Sequence, residues 1–195
     1  MIHTIIWRRI DKPGHDYCRL VESPTGARMS GIALLSHENV PTYIGYDVEC
    51  DVMWQTLRCS VKASVGEQRV DLDVRRQGKR WTVNGREAQT VEGAEDIDLG
   101  FTPATNLLPL RRLALKAGES AVVRAAWVRF PEFTLELLEQ NYTRLDDDTY
   151  RYESAGGGAG GGGTFRRDLK VDASGLVLDY PGLWSAESHT VDKSK

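Results

Sequence analysis

Apolar and polar residues alternate along much of this chain with a period of two, the repeat of a β-strand with one face buried and one face wet. Tyr46, Val48, Cys50 and Val52 alternate with Asp47, Glu49 and Asp51. Leu57, Cys59, Val61, Ala63 and Val65 alternate with Arg58, Ser60, Lys62 and Ser64. Val70, Leu72 and Val74 alternate with Arg69, Asp71 and Asp73. Short links at Met53-Trp54, Gly66-Glu67 and Gln77-Gly78-Lys79 leave room only for tight turns, which join antiparallel neighbours. Asn84-Gly85 follows Trp81 and Val83 and predicts a hairpin, since both residues tolerate positive φ. The first half reads as a meander.

The second half repeats the pattern. Residues Ala121–Phe130 are apolar on nearly both faces and predict a strand covered on both sides. Phe133–Leu145 predicts another, with a bulge near Leu137-Leu138 where the apolar phase switches. Asp146–Asp148 is an acidic turn, Tyr150 and Tyr152 return on the next strand, and Phe165–Val171 and Leu176–Tyr180 form a last hairpin. With Ile2–Arg9, Tyr17–Glu22 and Ile32–His37 the expectation is about eleven strands in an all-β, mainly antiparallel fold. A sheet this large must curl into an unclosed or closed β-barrel. Helix is expected only at Pro103–Leu113, with Thr102 as N-cap and Pro109 limiting its length.

The 195 residues are 41% hydrophobic and 27% charged, which suits one domain over 1–195 with its own core. A net charge of −3 with no basic block gives no footprint for nucleic acid. Cys18, Cys50 and Cys59 are odd in number and irregularly spaced, so they read as reduced, apolar thiols. Nothing at the N-terminus resembles a signal peptide and no apolar run is long enough for a transmembrane helix, so a cytoplasmic location is expected. Gly156–Gly163 is glycine except for Ala159 and predicts a flexible loop. Its literal G-x-G-x-x-G precedes a strand rather than a helix and carries no dinucleotide reading.

Catalytic constellations are missing. His3, His15, His37 and His189 lack zincin spacing, and no nucleophile elbow or phosphate loop occurs, so neither a metal, a cofactor nor an enzymatic function is expected. Asp96 and Asp98, two apart on an extended stretch, point the same way and offer either acid–base chemistry or partners for arginine. Arg167 shares phase with Phe165, Leu169 and Val171 and points inward, to a ligand's polar group or to an internal salt bridge with Asp96 or Asp98.

The segment Asp96-Ile-Asp-Leu-Gly-Phe-Thr-Pro-Ala-Thr-Asn-Leu-Leu-Pro-Leu-Arg-Arg-Leu113 has few local roles and many polar groups needing partners. Together with Ala125–Pro131, Gln140–Arg144, the Tyr150/Tyr152 strand and Val177–Gly182, it resembles the bacterial putative glycolipid-binding protein family over nearly the whole chain. The resemblance implies an unclosed antiparallel barrel like that of carriers which hold lipoprotein acyl chains in a curved sheet. It implies no catalytic residues. On that footing a glycolipid or other amphiphile is expected in the concavity, its tail on the apolar inner face. Its polar head would meet Asp96, Asp98, Thr105, Asn106, Arg111, Arg112 and Arg167. Two other readings stand beside it. One is a hydrolase of a sugar or acyl ester using Asp96, Asp98 or Arg167. The other is a structural barrel plugged by its own central segment, with Asp98 paired to Arg111 or Arg112.

Overall fold

The structure is a computed structural model describing residues 1–155 and 164–192. Gly156–Gly163, expected as a loop, lies outside the described residues. Among the described residues fifteen strands form one sheet. The first eight are β1 (Ile2–Arg9), β2 (Gly14–Ser23), β3 (Gly26–His37), β4 (Val40–Cys50), β5 (Thr56–Val65), β6 (Gln68–Gln77), β7 (Arg80–Val83) and β8 (Arg86–Glu87). They pair in sequence order, as the meander predicts. The remainder are β9 (Asp96–Leu99), β10 (Ser120–Arg129), β11 (Thr134–Arg144), β12 (Thr149–Ala155), β13 (Thr164–Val171), β14 (Val177–Tyr180) and β15 (Trp184–Asp192). β15 joins β1, so the two halves share a seam at the centre of the sheet.

All neighbours are antiparallel except β9, which runs parallel to β10. β8 and β9 are consecutive in the chain yet occupy opposite edges of the sheet. Residues 88–95 alone span that distance, so the sheet must curl until its edges nearly meet. The gap is stitched rather than laddered. Gly93 N–H donates to Lys79 O at 3.0 Å, Trp81 Nε1 to Ala94 O at 3.1 Å, and Glu95 N–H to Arg124 O at 2.7 Å. The barrel is unclosed.

Period two dictates what faces inward. Trp7, Cys18, Leu20, Met29, Ile44, Val48, Cys59, Val61, Val74 and Trp81 all take the inner phase and are buried in one core. Asn84 and Gly85 have φ of 50° and 77°, the left-handed pair that the hairpin demands. β10 and β11 pair without interruption from Ser120↔Thr143 to Arg129↔Thr134, so the bulge expected at Leu137-Leu138 does not exist. Leu138, Gln140 and Tyr142 hold the inner phase, and Leu137 is an apolar residue on the outer face. Phe133, whose phase suggested the switch, sits before the strand in a turn at φ 55°.

The interior is filled by the chain itself. A 3₁₀ turn (Ala104–Asn106) leads into α1 (Leu107–Leu113). Phe101, Ala104, Leu107, Leu108 and Leu110 are buried in the same core as the inner faces of the strands. Thr102 Oγ1 accepts the Ala104 N–H at 3.0 Å, but the residue at the N-cap of the turn is Pro103 and not Thr102 as expected. Pro109 falls in the first turn of α1, where no intrahelical N–H is needed. Ala114 closes the helix in the left-handed region, with its N–H on Leu110 O.

Candidate functional site

Four polar clusters hold the 96–113 segment inside the sheet. The first is an ion pair. Arg112 reaches Asp96 with a fork: Nη2 to Oδ2 at 2.7 Å and Nε to Oδ1 at 3.1 Å, with Glu95 Oε2 at 3.2 Å. Asp96 is 1% exposed, and its burial raises its pKa against the pull of Arg112. The second centres on Asp98, which accepts Gln140 Nε2 at 2.6 Å and the Thr105 hydroxyl at 3.2 Å. Burial pushes its pKa up to about 6, with those two donors opposing the rise. Thr105 Oγ1 also takes the Leu99 N–H at 3.1 Å.

Asn106 and Arg111 complete the lock. Asn106 Oδ1 accepts from the buried Tyr142 hydroxyl at 3.0 Å, and its Nδ2 donates to Pro103 O at 3.2 Å. Arg111 donates to Glu22 Oε2 at 2.6 Å and to Ser174 O at 2.9 Å, and lies 4.3 Å from the Trp54 ring centroid. Every member of the predicted set in this segment is thus brought onto the concave side and bound to protein groups. Their pairing differs from the salt bridge expected for Asp98: Arg112 serves Asp96, and Arg111 serves Glu22. Arg167 is apart from them. It lies half-buried on β13, with Nε on Pro181 O at 2.9 Å and its guanidinium 4.6 Å from the Phe165 ring. No ion pair joins it to Asp96 or Asp98 among the described residues.

A fourth cluster escapes sequence reading. Asp16, 0% exposed, takes the inner phase of β2 with Cys18 and Leu20. It accepts the Tyr46 hydroxyl at 3.0 Å and the Thr102 hydroxyl in a short bond, so it ties β2 and β4 to the turn before α1. Burial pushes its pKa up to about 7, against both donors. The available signal was a carboxylate in the apolar phase of a strand.

Open space lies elsewhere. On the outer face Ile6 stands opposite Tyr17, Tyr17 opposite Ile32, and Leu34 opposite Tyr43, giving a contiguous apolar band across β1–β4. These five side chains are 37–56% exposed. A depression of about 320 Å³ is lined by Tyr17, Ile32, Tyr43, Gly45, Asp47, Ser30, Ser60 and Lys62, among others. A second, of about 550 Å³, lies between Pro13, Leu34, Pro41 and Tyr43. Tyr43 borders both and lies over Gly45, where a Cβ would stand 2.9 Å from its hydroxyl. Asp47 accepts Arg28 Nε at 2.8 Å and the Ser30 hydroxyl at 2.7 Å, both on Oδ2, which leaves Oδ1 as an acceptor.

The chain belongs to the family described as "Putative glycolipid-binding", which it matches over residues 4–186. It is similar to the crystal structure of a DUF1089 family protein from Pseudomonas aeruginosa, with 30% identity and a TM-score of 0.74 over 87% of this chain and 91% of the other. It also resembles a β-barrel-like protein of the DUF1849 family from Brucella abortus, with a TM-score of 0.55 over 96% and 95% of the two chains. At 12% identity that likeness concerns the fold alone. No curated protein matches the sequence. Among the described residues no helix is long and apolar enough to cross a membrane.

Proposed function

We propose that the protein binds a glycolipid-type amphiphile without chemical conversion, and that the ligand lies on the outer face of β1–β5 rather than in the concavity. The observation carrying this reading is the exposed apolar band of Ile6, Tyr17, Ile32, Leu34 and Tyr43, set beside Asp47, Ser30, Ser60 and Lys62. Contiguous exposed apolar surface of this kind marks binding sites. The family description supports the ligand class.

The chemistry divides between two depressions. Tyr17 and Tyr43 offer apolar ring faces with polar tips, suited to a sugar's C–H face and hydroxyls. Asp47 Oδ1 and the Lys62 ammonium would fix the head. The Pro13, Leu34 and Pro41 depression would take the start of an acyl tail. A chain in an open groove buries about half its surface, or about 0.4 kcal/mol per methylene. Eight methylenes then give roughly 3 kcal/mol, too little alone for micromolar binding, so the head contacts must supply the rest.

The inner set reads differently. An amphiphile reaching Asp98, Thr105, Asn106, Arg111 and Arg112 must first displace the 96–113 segment and break the pairs described above. Asp96 and Asp98 are committed to Arg112, Gln140 and Thr105, which argues for a holding role in the fold over acid–base catalysis. The test is a calorimetric titration with a short-chain alkyl glycoside below its micelle concentration. Saturable binding that Tyr43→Ser weakens, and Arg111→Ala does not, supports the outer site. Loss of binding with Arg111→Ala alone refutes it.

A further inference from the structure

A second cluster, on the opposite face of the sheet from the apolar band, has geometry that no hydrogen bond explains. His3 takes the inner phase of β1 and is 3% exposed. His189 lies on β15 opposite Ile5, and the two imidazoles stack with centroids 5.9 Å apart. Asp172 follows β13. Ligand atoms of these three residues all lie within 4.8 Å of one another. Glu22, on β2, places Oε1 3.5 Å from His3 Nε2.

Neither ring nitrogen of His3, nor Nε2 of His189, has a hydrogen-bond partner among the described residues. A buried imidazole in that condition is missing something, since buried polar atoms are normally satisfied. Each carboxylate turns one oxygen toward an imidazole. Asp172 Oδ1 is consumed by its turn, accepting Ser174 N–H, the Ser174 hydroxyl and Leu176 N–H, which turns Oδ2 toward His189 Nε2 at 3.4 Å. Glu22 Oε2 is held by Arg111, which turns Oε1 toward His3. Both nitrogen–oxygen distances are too long for good hydrogen bonds. Two ligands each about 2.1 Å from a tetrahedral ion stand about 3.4 Å apart. The Asp172–His189 spacing matches that edge, and all three ligand atoms lie within 4.8 Å of one another.

We propose that His3, Asp172 and His189 form a binding site for one first-row divalent transition ion, zinc by ligand type, with Glu22 beside His3 as an outer contact. Two imidazoles and one carboxylate suit zinc and leave a fourth position for water. Burial lowers the His3 pKa, which favours the neutral imidazole a metal requires. The Asp172 turn and Arg111 are the outer contacts that aim the carboxylates. The ion would join β1, β15 and the turn after β13.

The test is titration of metal-stripped full-length protein with Zn²⁺ alone, and with Co²⁺ read by its visible ligand-field absorption. The expected result is one ion per chain. His189→Ala and Asp172→Asn should each weaken binding by roughly 100-fold or more, at or beyond the upper end of outer-contact losses. Asp172→Asn keeps the oxygen that holds the turn, so it separates ligand loss from misfolding. His15→Ala, at the exposed His15–Glu187 pair, should change nothing. No stoichiometric ion, unaltered affinity in both ligand variants, or loss of the ion with His15→Ala would each overturn the proposal.

Discussion

Replacing Asp16 with Asn will stabilise the protein at neutral and alkaline pH and leave it nearly unchanged in acid. Asp16 is fully buried, and its pKa is pushed from an ordinary 3.8 to about 7. Desolvation dominates, opposed by the Thr102 and Tyr46 hydroxyls. The folded state therefore holds a proton that the unfolded chain has already released between these values. Stability from this group is fully present below 3.8, falls as pH rises toward 7, and is flat above. About three pH units at about 1.4 kcal/mol each set the loss at about 4 kcal/mol. Asn imitates the neutral acid, accepting from Tyr46 and donating to Thr102, and has no charge to desolvate. Asp73, Glu153 and Asp168, whose pKa values are lowered by arginine partners, titrate alike in both proteins and cancel from the difference. The assay is urea unfolding of both proteins across this range. A variant-minus-wild-type difference that grows by several kcal/mol from acid to neutral pH is expected. A difference independent of pH refutes the assignment of a buried, protonated Asp16.

Other perturbations follow from the same contacts. Arg112→Leu strands Asp96 in the core and should cost about 3–5 kcal/mol in chemical unfolding, with Asp96→Leu on the same background restoring most of it. Gly31→Ala drives a Cβ into the Tyr46 ring and the Tyr17 carbonyl, and should lower stability by about 1–3 kcal/mol, visible as a drop in Tm. Cys18, Cys50 and Cys59 are buried, and burial pushes the Cys50 thiol up to about 12, so thiol reagents should leave the native protein unlabelled and react after unfolding.

The strands were legible because each buries one face, and that constraint writes itself at period two. Asn84-Gly85 announced its turn because few residue pairs accept its backbone. The plug was visible only as a segment with too many unassigned polar groups. Its partners, Gln140, Tyr142 and Glu22, lie 36 to 89 residues from the plug residues they hold, and no local pattern encodes such pairings. β9 reads as an extended stretch through Asp96 and Asp98, but its parallel pairing with β10 at the sheet edge leaves no local signal. Asp16 was missed because the strand was expected to begin at Tyr17, three residues after its start at Gly14. Leu137 misled in the opposite direction: an apolar residue on an outer face imitates a change of phase. The histidine cluster draws on β1, β15 and a turn, so ligand spacing along the chain could not reveal it.

The most direct test of where a ligand sits is photo-crosslinking with an alkyl glycoside carrying a diazirine on its chain, followed by peptide mapping. The account predicts label on β2, β3 and β4, at or beside Tyr17, Ile32, Leu34 and Tyr43, and its loss on competition with unlabelled glycoside. Label on Leu107–Leu113 or on Tyr142 and Tyr152 would contradict it, because the ligand would then occupy the concavity and the central segment would have to leave.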